Sequence, residues 1–198
     1  EVALEFGPEG LRSRWSHATP LIPFASYLAS LKALERRLSV APEELEIARM
    51  TGADAMPQLL MALHLGLDGQ QHKFPYTCSL IDVVSAVSSV AVQRLKHCLR
   101  VPRPSDDRFG LVMEPRLEVP KYSAFPAGHA AVCAAIATVL IKLCEADAPQ
   151  ATLLEALVAD IAEDRERAGL HCEIDNREGL ALGRAIGSWM LLAVDQPA

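Results

Sequence analysis

An all-α fold, a single-domain helical bundle, follows from how apolar residues are spaced along the 198-residue chain. They recur at three- and four-residue intervals, and clusters of Pro and Gly separate the segments that carry them. No repeat, low-complexity tract or long linker breaks the pattern, and a chain of this length fits one domain, residues 1–198, with a sizeable core. Six or so helices are expected.

The first, Leu21 to Leu38, has an apolar stripe interrupted by Lys32, Glu35, Arg36 and Arg37, as a helix with one wet face would. Pro42-Glu43-Glu44 opens a second, since Pro and carboxylates both favour a first turn; it is expected to run to Leu65 with a kink at Pro57. Ser79 to Leu99 carries Leu80, Val83, Val84, Val87, Val90 and Leu95. Its valines suit strands too, but its length favours a buried helix. From Val101 to Pro126 the prolines 102, 104, 115, 120 and 126 forbid continuous helix, leaving a long loop with a job, in which a two-stranded sheet is conceivable. Gly128 to Cys144, Ala151 to Ala168 and Asn176 to Val194 complete the helices, the last with Asp175 as its N-cap.

Composition narrows the function. Apolar residues make up 51% and charged residues 22% of the chain, the balance of a globular domain rather than a disordered one. The net charge of -6 argues against a nucleic-acid partner, so any phosphate must be held locally. The longest nearly apolar stretch, Ala130 to Ile141, falls short of the ~20 residues a membrane helix needs, so no span is expected and the stretch reads as a core helix. Five cysteines, Cys78, Cys98, Cys133, Cys144 and Cys172, form no CxxC pair. An odd number without such a pair fits reduced thiols in a cytoplasm, the favoured location. The chain starts at Glu1 without an initiator Met, so a trimmed N-terminus keeps a periplasmic or secreted location open.

Three segments carry candidate chemistry. Lys96 to Arg103-Pro104 places two fixed cations at a helix end and in the loop beyond it; taken alone, this also suits a helix dipole. Phe125-Pro126-Ala127-Gly128-His129 precedes an apolar helix, so the amides around Gly128 lie at a helix N-terminus, where an oxyanion can sit; a plain Pro-Gly turn reads equally well. Arg165, His171 and Asp175 form the third: a carboxylate holding one imidazole nitrogen leaves the other as nucleophile or ligand, whereas the charged run from Glu163 to Arg167 alone reads as a solvated face. Together they supply cations, backbone donors and two histidines, which is what phosphoryl transfer needs.

In this order and spacing, the motifs resemble the superfamily of type 2 phosphatidic acid phosphatases, bacterial class A acid phosphatases and vanadium-dependent haloperoxidases, whose pattern is K-x6-RP, PSGH and SR-x5-H-x3-D. The resemblance covers residues 96–175. It implies a helical bundle with an anion site at its core. Lys96, Arg103 and Arg165 would bind the oxyanion with the Ala127-Gly128 segment, the Gly128 amide donating. His171 would attack phosphorus or coordinate vanadate, Asp175 would orient it, and His129 would be general acid and base. Two residues depart from the pattern: Ala127 replaces a Ser whose hydroxyl would bond the anion, and Asp164 replaces the Ser before Arg165, where it could pair with that Arg and compete with substrate.

Phosphatase and haloperoxidase share such a pocket, because vanadate mimics the phosphoryl-transfer transition state. Tyr122, a candidate pocket residue seven before His129 where haloperoxidases carry Phe or His, leans toward haloperoxidase, as do Ala168-Gly-Leu-His171 and Gly179-Leu-Ala-Leu-Gly183. Gln93, where the fungal chloroperoxidase type has Trp, and the short chain lean the other way. The expectation is a soluble phosphohydrolase acting on a small phosphorylated substrate through a phosphohistidine, with no cofactor. The alternative is a haloperoxidase using vanadate, peroxide and halide, with His171 as the vanadium ligand, and the third is an anion-binding module without turnover. His17, His64 and His72 lack partners at ligand spacing, Cys172 reads as a small buried hydrophobe, and Glu114 and Glu118 as surface. Arg100, one turn after Lys96, fits an anion funnel or open solvent equally, and an apolar helix face leaves room for a second copy of the chain.

Overall fold

The computed structural model describes residues 4–7, 10–13, 22–40, 74–143 and 145–194. Within them the fold is helical: α1 is Phe24–Leu38, α2 Pro75–Leu99, α3 Gly128–Leu143, α4 Ala148–Arg167 and α5 Glu173–Val194. An antiparallel ribbon, β1 (Leu4–Gly7) with β2 (Gly10–Ser13), pairs Leu4 with Ser13 and Gly7 with Gly10. The two-stranded element thus lies near the N-terminus and not in the 101–126 loop, where a single 3-10 turn, Asp107–Phe109, forms. The helix expected over 42–65 lies outside the described residues, as do His17, His64, His72 and Cys144.

Each helix buries one stripe. In α1 it is Tyr27, Leu31 and Leu34, and the helix begins only after Pro23. In α2 it is Ile81, Val84, Ser88, Val92, Lys96 and Leu99, so a lysine shares the face of the core residues and enters the protein with them. Pro75 sits in the first turn of α2, where its missing N–H costs nothing. In α4 the stripe is Leu154, Val158, Ile161 and Ala162, and Arg165 continues it by one turn. That helix opens on a reciprocal capping box between Asp147 and Gln150.

Helix α3 is buried nearly all round, packed by α2, α4 and α5. Its contact with α5 is the most extensive among the described elements. A Cβ on Gly179 would lie 2.5 Å from the Ala127 carbonyl oxygen, and one on Gly183 only 2.1 Å from that of Ala131. Both residue numbers rise together, so the two helices run parallel with their N-termini side by side. The Ala127 N–H donates to the Asp175 carbonyl at 2.9 Å and ties those ends together.

Helix α2 corrects the expectation that no segment could span a membrane. Asp82 is its only charged residue before Arg94. Its most apolar 18-residue window has a mean hydropathy of 1.4 and is 22% buried, which makes the helix long and apolar enough, by length and composition, to cross a bilayer. Serines and Asp82 break the apolar run, which is why a search for uninterrupted apolar residues passes over it.

Candidate functional site

The spacing from Arg165 to Asp175 has a local cause. At the end of α4 the Leu170 N–H donates to the Arg165 carbonyl and the Gly169 N–H to that of Glu166, the paired bonds of a Schellman turn. Gly169 takes the left-handed conformation this requires, at φ 75°. The turn leaves Arg165 on the last turn of α4 and delivers His171 to the start of α5. Asp175 lies inside that first turn instead of capping it from outside: its Oδ2 accepts the Cys172 N–H at 3.0 Å, the return half of a capping box.

His171 is 3% exposed and Asp175 fully buried. Arg103 Nη1 stands 3.2 Å from His171 Nε2. A guanidinium can only donate, so Nε2 presents its lone pair and the ring proton sits on Nδ1. Nδ1 lies 3.5 Å from Asp175 Oδ2, a contact longer than a well-formed hydrogen bond. Burial pulls the His171 pKa down to about 4; Asp175 opposes that shift, while Lys96 and Arg103 add to it. Burial pushes the Asp175 carboxyl up, but His171, the Cys172 amide and the Tyr27 hydroxyl outweigh it and hold it below the usual range.

Arg103 is a bracket as well as a charge. Its Nε donates to the Tyr122 carbonyl at 3.0 Å and its Nη1 to the Leu170 carbonyl at 2.9 Å, joining the loop to the α4–α5 turn. Lys96 Nζ donates to the carbonyls of Ser123 and Ala124 at 2.7 and 2.8 Å, so the loop is drawn over the site by the cations themselves. Burial, then Arg103, lowers the Lys96 pKa to about 7. The Tyr122 ring, half exposed, lies 5.4 Å from Lys96 Nζ and 5.2 Å from Arg103 Cζ.

Arg165 faces inward with its Nε buried and without a hydrogen-bond partner among the described residues. The adjacent Asp164 accepts from Arg167 Nη1 at 3.1 Å, an i,i+3 pair on α4, and its charge acts on Arg165 as well. His129, in the first turn of α3, is lowered to about 4 by burial and then by Arg165, Lys96 and Arg103. The two histidines are therefore neutral among three cations, and the first-turn amides of α3 at Gly128 and His129, which have no partner within the helix, belong to the same end of it. Such a group has a net positive field and fits an oxyanion of two negative charges. Ala127 contributes differently: its N–H is committed to Asp175, and its methyl packs with Ala130, Ala162 and Leu180.

Sequence reasoning missed the residues that hold this arrangement from behind. Tyr27 Oη donates to Asp175 Oδ1 at 2.9 Å, and Ser30 Oγ accepts the Ile174 N–H at 3.4 Å, so α1 braces the first turn of α5. Asn176 Nδ2 donates to the Ala162 carbonyl and to Glu166, fastening α5 to α4. A tyrosine in the apolar stripe of α1 was the available signal, since a buried phenol needs an acceptor. Cys172 is fully buried, and burial pushes its thiol well up, as suits a small core residue.

No protein-family model matches the sequence, and no characterised protein matches it by sequence. By structure the chain is similar to the first transmembrane PAP2 type phosphatidylglycerolphosphate phosphatase from Bacillus subtilis, with a TM-score of 0.61 and 17% identity over 86% of each chain. It is also similar to the first bacterial vanadium-dependent iodoperoxidase, with a TM-score of 0.63 and 15% identity, covering 89% of this chain and 51% of that one. The fold is thus the helical fold of PAP2-type phosphatases and vanadium haloperoxidases, the group whose motifs the sequence resembles. The fold is shared with a transmembrane phosphatase, and α2 is long and apolar enough, by length and composition, to cross a bilayer, so the expectation of a cytoplasmic location does not stand.

Proposed function

We propose that the chain is a phosphohydrolase that cleaves a phosphomonoester through a phosphohistidine. The observation that carries this reading is the His171 Nε2 lone pair, held toward Arg103 at 3.2 Å, with the charge of Lys96 acting on the same ring and that of Arg165 on Arg103 and His129. The three cations and the Gly128 amide take the phosphoryl oxygens, and Arg103 moves its donor from His171 to the anion, freeing the nucleophile. Nε2 attacks phosphorus as the bond to the ester oxygen breaks, and that oxygen takes a proton from His129. Asp175 stabilises the imidazole charge that forms. Water, giving its proton to His129, then attacks the phosphoryl group, and the P–N bond returns its electron pair to His171.

An empty group of cations keeps His129 neutral, whereas a bound dianion cancels their field and lets His129 hold the proton it must donate. The test is hydrolysis of p-nitrophenyl phosphate with and without micromolar vanadate, beside His171→Ala and His129→Ala. Activity that vanadate inhibits and His171→Ala abolishes supports the reading; hydrolysis that survives His171→Ala removes it. No turnover by any form would leave an anion-binding module.

A second reading rests on the same three cations and the partnerless Arg165 Nε, which suit vanadate as well as phosphate. Lys96, Arg103 and Arg165 would hold its oxygens and His171 its metal. Bound vanadate supplies oxidation of halide by peroxide. Bromide oxidation that appears only with added vanadate and peroxide would select it.

A further inference from the structure

The turn that sets the spacing of Arg165 and His171 is held from outside as well as from within. Its own bonds close the carbonyls of Asp164, Arg165 and Glu166, which accept the N–H groups of Ala168, Leu170 and Gly169. The carbonyls of Arg167 and Ala168 come next, and one residue of the loop closes both. Arg116 Nη1 donates to the Arg167 carbonyl at 3.1 Å, and the Arg116 N–H to that of Ala168 at 3.0 Å. The other arm of the guanidinium, Nη2, donates to the carbonyl of Val40, just beyond the end of α1. Arg116 therefore joins the loop, the C-terminus of α4 and the end of α1.

Packing around the turn is equally close. A Cβ on Gly169 would lie 3.0 Å from Leu38 Cδ1 and 3.1 Å from Pro115 Cα, so the turn is wedged between α1 and the loop. Leu117 and Val119 pack on the buried Ala168 and Leu170. Charge acts in the same direction. Arg165 stands on the last turn of α4, so the negative end of that helix's dipole lies at the corner where an anion is to bind. Open carbonyls there would oppose the anion. A guanidinium on them offsets the dipole and, unlike an ammonium, reaches carbonyls of two segments from one rigid fork. Arg116 lies in none of the three segments that carry the candidate chemistry.

We propose that Arg116 is a positioning residue for the anion pocket: by fixing the α4–α5 turn between the loop and α1, it sets where Arg165 and His171 stand relative to each other. The inference rests on the pocket of the phosphohydrolase reading but not on turnover, since binding of inorganic phosphate reports it equally.

The test is titration calorimetry of inorganic phosphate and of vanadate into the wild type, Arg116→Ala and Arg116→Lys, beside p-nitrophenyl phosphate kinetics. Lost stability alone would lower the fraction of protein that binds, and with it the stoichiometry and kcat, while Kd and KM held. A displaced Arg165 instead raises Kd at full stoichiometry. Arg116→Ala should weaken phosphate by about tenfold, the scale of hydrogen bonds that support a ligating side chain from behind. Arg116→Lys keeps the charge but cannot hold both carbonyls, so its Kd should rise as well, and it decides the matter if the alanine variant does not fold. An unchanged Kd in either folded variant overturns the proposal even if hydrolysis is normal. A Kd raised by both changes, beside a wild type that binds phosphate and hydrolyses nothing, would sustain the proposal and overturn the phosphohydrolase reading instead. A wild type that binds neither anion overturns both.

Discussion

Tyr27 donates its hydroxyl proton to Asp175 Oδ1 at 2.9 Å, joining a fully buried phenol in α1 to the carboxylate behind His171 across 148 residues of chain. With the Cys172 amide on Oδ2, it fixes both carboxylate oxygens, so Asp175 has one orientation toward the imidazole. Burial and the neighbouring carboxylate push the phenol's own pKa well up, so it donates at every working pH.

Tyr27→Phe keeps the ring and deletes the donor. Leaving a buried carboxylate oxygen short of a partner should lower stability by about 1–3 kcal/mol in urea unfolding. Tyr27 does not touch the anion, so KM should hold while kcat falls by about 10- to 100-fold, the scale on which outer hydrogen bonds orient functional imidazoles. A variant with lowered stability but unchanged kcat would make Tyr27 a packing residue only.

Arg103→Lys tests whether geometry matters beyond charge. Arg103 reaches the Tyr122 and Leu170 carbonyls and His171 Nε2 at once, which the point charge of an ammonium cannot span. The expected loss is about 10²- to 10³-fold in kcat, that of removing a donor from an oxyanion site. Vanadate inhibition should weaken in parallel. Near-wild-type kinetics would show that charge alone suffices.

Two pH effects follow from the histidines. Both are depressed to about 4 in the folded, unliganded protein, against about 6.5 in an unfolded chain. The unfolded state therefore binds more protons between those values, so the stability is fully present above about 6.5 and is lost as pH falls toward 4. Unfolding midpoints measured from pH 7.5 down to 4 should fall, and less steeply in His171→Gln; an unchanged slope would refute the buried neutral imidazole. In kinetics, His129 must be protonated to act as the acid. Its limb should lie at higher pH in kcat, which reports the complex, than in kcat/KM, which reports the empty site. His129→Ala should lose that limb and be least impaired with 2,4-dinitrophenyl phosphate, whose leaving group needs no proton.

Much of this site was legible because its geometry is local. The five residues between Arg165 and His171 are one Schellman turn, and Lys96 enters the core because it falls on the α2 stripe of Val92 and Leu99; both are matters of helical period. The long, proline-broken segment was rightly set apart as a loop, and Lys96 and Arg103 draw it over the pocket. What stayed hidden is non-local. No spacing relates Tyr27 to Asp175 or Asn176 to Ala162, and no propensity distinguishes a Gly kept for helix contact from one kept for a turn. Asp164, by contrast, is a local case: it bonds Arg167 three residues on, a pairing that helical period allows, and its charge still acts on Arg165. The membrane-length character of α2 escaped because Asp82 and several serines, two of them adjacent at Ser88-Ser89, interrupt its apolar run.

Gly183 tests the contact on which all of this stands. A methyl there would lie 2.1 Å from the Ala131 carbonyl oxygen and 2.8 Å from both its carbonyl carbon and the Ala134 Cβ. These atoms are backbone or Cβ, which no rotamer change can move. Gly183→Ala must therefore force α3 and α5 apart, at about 3 kcal/mol or more, the upper end of what overpacking costs. Gly128→Ala is the contrasting case, because its methyl would meet Val92 Cγ1 at 3.5 Å and Lys96 Cε at 3.8 Å, ordinary contact distances. It should change stability by no more than about 1 kcal/mol. Separating α3 from α5 would also stretch the Ala127–Asp175 bond that joins their N-termini. Gly183→Ala should accordingly weaken vanadate binding under conditions where the variant is still folded, although it lies two turns from the anion pocket. Unfolding curves and vanadate titrations of the two variants decide the matter: equal stability would mean that the helices are not held this close.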